Sequence, residues 1–140
     1  MAQISRLPLP KALEQQMYEL FYKSLADLNS GHDIESFLDD LLTPTEKVML
    51  AKRLAIAFLL DKGYNQRTVH TMMKVSLTTV NSINYWLKNK GDGYRKVIAM
   101  VRKAEKWQQF ITRLDNLLYE HFSYKAMRRR VHSMPDPENY

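Results

Sequence analysis

Gln66 to Trp86 reads QRTVHTMMKVSLTTVNSINYW, and the spacing of its apolar residues decides the fold. Counted from Gln66, steps 4, 8, 10, 15 and 18 are Val69, Met73, Val75, Val80 and Ile83, all of them apolar. Two short helices that cross steeply need apolar residues at those steps, because that is where their inner faces meet. Asn65 can cap a helix from Gln66 to Met73. Lys74-Val75-Ser76 is the connection, and Ser76 can cap a second helix from Leu77 to about Lys90. The residues facing away from the contact are Leu77, Thr78, Thr79, Asn81 and Ser82, with Tyr85 at the margin. Two steps depart from the usual pattern. His70 stands at step 5, where a small residue normally allows close approach, and Lys74 stands at step 9, where the turn favours glycine. A left-handed non-glycine residue at that turn costs roughly 1 kcal/mol, which a domain can absorb.

Upstream of this window lies the clearest helix start in the chain, Thr43-Pro44-Thr45-Glu46. The threonine hydroxyl can accept a first-turn amide, proline suits the first helical position, and the glutamate can reach back to close a capping box. That helix is expected to run to about Lys62 and to end on Gly63 in a left-handed conformation. Before it, Leu13, Met17, Leu20, Phe21, Leu25 and Leu28 recur at helical spacing and give one apolar face, which Asn29-Ser30-Gly31 should end. A short helix from about Asp33 to Leu42 follows. Downstream, Gly91-Asp92-Gly93 breaks the pattern, and apolar spacing from Tyr94 to about Phe122 predicts a helical extension. Residues 123–140, with Arg128-Arg129-Arg130 and Pro135-Asp136-Pro137, read as a flexible basic tail. Residues 1–122 are therefore expected to form a single all-α domain.

Charge is unevenly placed. The whole chain of 140 residues carries a formal net charge of +6. Residues 1–42 hold three Lys or Arg against seven acids, a net of −4, whereas residues 43–106 hold thirteen against four, a net of +9. A basic block around two short helices suits a phosphate backbone. Arg67, Lys74, Lys88 and Lys90, with Gln66 at the first helix start, flank the window where phosphates would run. Thr78, Thr79, Asn81 and Ser82 are short polar side chains able to reach base edges, and a carboxamide such as Asn81 can bond adenine through N6 and N7 together.

Other chemistries find little support. With no cysteine there is no disulfide framework and no thiol nucleophile. His32, His70, His121 and His132 follow no metal-ligand spacing, and no phosphate loop, GxSxG or HExxH occurs. No cofactor, metal site or catalytic residue is expected. Trp86 and Trp107 sit in apolar patterns that place them in the core. The longest apolar run, Leu54 to Leu60, is seven residues, too short to cross a bilayer, and the N-terminus lacks a signal-peptide core. A cytoplasmic protein is the expectation.

Leu41-Leu42-Thr43-Pro44-Thr45-Glu46 through Arg53, together with Asn65-Gln66-Arg67 and the helix after Ser76, resembles the Trp repressor superfamily over roughly residues 10–100. Within it the chain is most similar to the YerC/YecD-like branch. The resemblance implies intertwined N-terminal helices, a homodimer, and two reading heads that approach successive major grooves of double-stranded DNA as a transcriptional repressor does. It also implies an effector pocket walled by Thr43 and Arg53. Ser82 stands where the family's second pocket arginine would be and Ile83 where its glycine would be, so tryptophan is not the expected effector, and a small-molecule effector, if one is bound, would be a different compound. The alternative from another class is a helical protein-interaction module without DNA sequence specificity.

Overall fold

The structure, a computed structural model, describes residues 7–104, 108–109, 111–113, 115–117 and 119–120. Trp107, His121, His132 and the basic tail expected over 123–140 lie outside the described residues. Among the described residues there are helices and no strand. They run α1 (Lys11–Ala26), α2 (Gly31–Leu41), α3 (Pro44–Asp61), α4 (Gln66–Met73), α5 (Leu77–Asn89) and α6 (Asp92–Arg102). The chain divides into two units, Met1–Met49 and Leu50–Tyr140.

The first unit holds α1, α2 and the opening turns of α3. α1 ends at Ala26, three residues before the expected Asn29 stop, and none of its residues is buried. Leu13, Met17, Leu20 and Phe21, the predicted apolar stripe, are between 40% and 69% exposed. α2 starts two residues earlier than the sequence suggests. The signal there is Ser30 and not the glycine after it: Ser30 Oγ accepts the Asp33 amide at 3.1 Å and donates to its carboxylate at 2.6 Å. At the head of α3 the capping box forms as expected. Glu46 accepts from the Thr43 amide at 2.8 Å and from its hydroxyl at 2.9 Å, and the Glu46 amide donates back to Thr43 Oγ1 at 3.3 Å. The Thr43 amide, then its hydroxyl, hold the Glu46 carboxyl below its ordinary pKa of 4.5.

The second unit contains the core. Ile56, Ala57, Phe58 and Leu59 of α3, Val69 of α4, Val80 and Ile83 of α5 and Ile98 of α6 form one buried cluster. α3 ends in a Schellman motif: the Tyr64 amide reaches the Leu59 carbonyl and the Gly63 amide the Leu60 carbonyl, each at 3.1 Å, with Gly63 at φ 104°. α4 packs on α5, and α5 on α6. Gly91, buried between the last two, leaves no room for a Cβ, which would stand 2.7 Å from the Trp86 carbonyl oxygen and 2.8 Å from Leu87 Cα.

α6 starts at Asp92 and closes at Arg102, so the helix expected from Tyr94 to Phe122 is not continuous. The next described residues, Gln108 and Gln109, are helical, and the Gln108 amide donates to the Ala104 carbonyl at 3.3 Å. The reason is tertiary. The later segment is tied to the end of α3, with Tyr64 Oη donating to Asp115 Oδ1 at 3.1 Å and Lys62 paired with the same carboxylate. A straight helix rising about 1.5 Å per residue would carry Asp115 roughly 20 Å beyond Arg102.

Candidate nucleic-acid interface

α4 and α5 have the bounds that the apolar spacing dictates, to within a residue at the end of α5. Val69, Val80 and Ile83 are fully buried, and Met73 and Val75 pack half-buried against the same cluster. The caps expected from the sequence are in place. Asn65 Oδ1 accepts the Thr68 amide at 2.8 Å, and Ser76 Oγ accepts the Thr79 amide at 3.1 Å.

The two departures from the usual pattern turn out to be coupled. Lys74 adopts φ 52°, ψ 50°, the left-handed conformation the turn demands, and is the one described non-glycine residue with positive φ. Its amide donates to the His70 carbonyl, and the Val75 amide donates to the same oxygen at 3.4 Å. The His70 ring closes the loop from the other side, with Nδ1 donating to the Val75 carbonyl. A carbonyl only accepts, so this contact fixes a proton on Nδ1. The residue that displaces the usual small one therefore fastens the turn that the missing glycine would have relaxed.

With the inner face committed to the core, the outer face of α5 is set by register. Thr78, Asn81, Ser82 and Tyr85, at helical steps of three and four, share one exposed face. Thr79 differs from its neighbours. It is half-buried, and its hydroxyl lies 2.8 Å from that of the capping Ser76. Around this face, Arg67, Lys74, Lys88 and Lys90 are exposed, and Gln66 is half-buried at the first turn of α4, where free amides favour an anion. Lys90 Nζ lies over the Trp86 ring at 5.6 Å from its centroid. The arrangement offers donors for phosphates at its edges and small polar groups at its centre, the division of labour a groove-reading surface requires.

A family model described as Trp repressor protein matches residues 16–102. The chain belongs to the Trp repressor family. The match takes in the capping box, both α4 and α5, and all of α6, and it ends where α6 ends. No curated protein and no solved structure gives a significant match to the chain. In this Trp repressor family member the helix-turn-helix is α4–α5.

Three features escaped the sequence. Trp86, expected in the core, is 45% exposed, and Tyr85 beside it 57% exposed, the two rings meeting edge to face at 6.5 Å. The buried stripe of α5 follows Val80, Ile83 and the half-buried Leu87, which leaves Trp86 off the core side. Arg95 ties α6 to the end of α5, donating to the Leu87 carbonyl and pairing with Asp92. Asp115 joins residues 51 apart in sequence, which no local pattern announces.

Thr43 and Arg53, expected in an effector pocket, fall in different units. Thr43 has its amide and hydroxyl engaged by Glu46, and Arg53 is exposed. Ile83, at the position where the resemblance expects glycine, is completely buried in the core. Among the described residues no group of three His, Cys, Asp or Glu is placed to hold a metal ion, and no helix is long and apolar enough to cross a membrane.

Proposed function

We propose that this protein is a sequence-specific, homodimeric DNA-binding transcriptional regulator, of the YerC/YecD-like branch of its family and working in the cytoplasm. α5 reads bases in the major groove through Thr78, Thr79, Asn81 and Ser82, and Gln66, Arg67, Lys74, Lys88 and Lys90 hold phosphates. The observation that carries the reading is the outer face of α5. Its centre is small and polar, its edges are basic, and its opposite side is sealed into the core by Val80 and Ile83. Thr79 contributes less than Thr78 and Asn81, because its hydroxyl already pairs with Ser76. Free tryptophan is not the effector. Ile83 stands where the family resemblance places a glycine beside the amino acid, and Ser82 gives no guanidinium for the ligand carboxylate. If Thr43 and Arg53 serve an effector at all, it is a different one.

The test contrasts two substitutions on purified protein. Asn81→Ala is expected to cost roughly 1–3 kcal/mol on the preferred duplex and to relax the base preference at one position. Lys88→Ala is expected to weaken all duplexes alike and to lower the slope of log affinity against log salt by about one. Equal effects of both on every duplex would exclude base reading by α5. One observation favours the second reading, a protein-interaction module: the exposed Tyr85–Trp86 pair on the same helix, since such aromatics anchor protein partners. On that reading Asn81→Ala and Arg67→Ala leave function unchanged.

A further inference from the structure

Of the four residues that share the outer face of α5, one is not small. Tyr85 is 57% exposed and stands beside Thr78, Asn81 and Ser82 on that face. Its ring meets the Trp86 ring edge to face, 6.5 Å between centroids, and Lys90 Nζ lies over the same indole at 5.6 Å. One turn on, the Asn89 side chain donates to the Tyr85 carbonyl at 2.9 Å. A phenol has two side-chain torsions to order, and the indole restricts them from one side, so seating this ring against a partner costs little entropy.

The tyrosine side chain is longer than those of Thr78, Asn81 and Ser82. A helix close enough for those three to touch base edges therefore brings the Tyr85 ring into the major groove as well. Chemistry limits what the ring can meet there. Base edges present hydrogen-bond donors and acceptors, and an apolar ring laid on them strips their water without replacing it. The thymine 5-methyl is the one alkyl group in the groove, and an apolar contact suits it. We propose that Tyr85 is a specificity-determining residue that packs its ring on a thymine methyl. At about 1.5 Å of rise per residue Tyr85 stands about 6 Å beyond Asn81, so that thymine lies about two base-pair steps of roughly 3.4 Å from the base Asn81 reads. This inference rests on the reading of bases by α5 proposed above, and a protein partner for the Tyr85–Trp86 pair is the outcome that competes with it.

The test uses the full chain and the duplex it selects from a random pool, remade with each thymine in turn replaced by deoxyuridine, which removes the methyl group and nothing else. The unsubstituted protein is expected to lose about four-fold in affinity at one position of each half-site, the worth of one buried methyl. Tyr85→Ala is expected to bind the thymine duplex at least as weakly and to make no distinction between thymine and deoxyuridine at that position. Tyr85→Phe keeps the ring and is expected to keep the distinction. Asn81→Ala on the same duplexes separates the two claims. If it relaxes the preference at its own position while deoxyuridine is tolerated throughout, base reading stands and the Tyr85 contact falls. A pool that yields no preferred sequence overturns both. A methyl effect that persists in Tyr85→Ala, or vanishes in Tyr85→Phe, overturns the ring contact. So does unchanged binding of every duplex by Tyr85→Ala, the result expected if the aromatic pair serves a protein partner.

Discussion

If Lys74 holds a phosphate as proposed, stability and recognition pull there in opposite directions. Its left-handed backbone carries strain of roughly 1–2 kcal/mol. Replacing it with glycine relieves that strain and costs roughly 0.5–1 kcal/mol in chain entropy. Lys74→Gly is thus expected to raise the unfolding free energy by about 0.5–1 kcal/mol, read by urea titration. On the proposed reading the same variant should bind every duplex more weakly, because a cation assigned to the phosphates is gone. A variant that is both more stable and equally avid would remove Lys74 from the phosphate contacts. The step-9 lysine was visible in the sequence as a departure. What was not visible is its partner, since the His70 ring contact to Val75 depends on a turn geometry that spacing alone does not supply.

At the scale of elements, the helix ends are governed by short polar side chains. Thr43, Asn65 and Ser76 each precede a helix and each accept the expected amide, so these starts could be read from residue type. The Thr43–Glu46 box adds a pH signature. Because the folded-state pKa of Glu46 lies below its ordinary 4.5, the unfolded chain takes up the proton first as pH falls. Its contribution is present in full above that ordinary value and is lost as pH drops through the lower folded one. Glu46→Gln should flatten the acid limb of a stability–pH profile in that window and leave the slope near neutrality unchanged. An acid limb identical to that of the unsubstituted protein would mean the box contributes nothing. The end of α6 could not be read in the same way. Lys103 and Ala104 include no glycine or proline, and the break there comes with ties that Asp115 makes to Tyr64 and Lys62. Trp86 was misplaced for a related reason: it sits beside the α5 stripe, one residue short of Leu87.

For the whole molecule, the open question posed by the structure is what covers α1. A helix whose Leu13, Met17, Leu20 and Phe21 are all exposed leaves apolar surface in water, at roughly 25 cal/mol per Å² of area that burial would recover. A second copy of the chain is the proposed cover, and this predicts a dimer in sedimentation at micromolar concentration. Phe21→Glu is expected to shift it toward monomer, and an unsubstituted protein that sediments as a monomer would contradict the pairing. Dimerisation also fixes what the DNA must look like, since two reading heads related by a two-fold axis require a two-fold site. The most direct test of the central claim is therefore selection of bound duplexes from a random pool by the purified protein at near-physiological salt. Sequence-specific reading by α5 predicts an enriched palindrome with half-sites about one helical turn apart, and loss of that enrichment in Asn81→Ala. A pool that stays random while still binding through charge would contradict it.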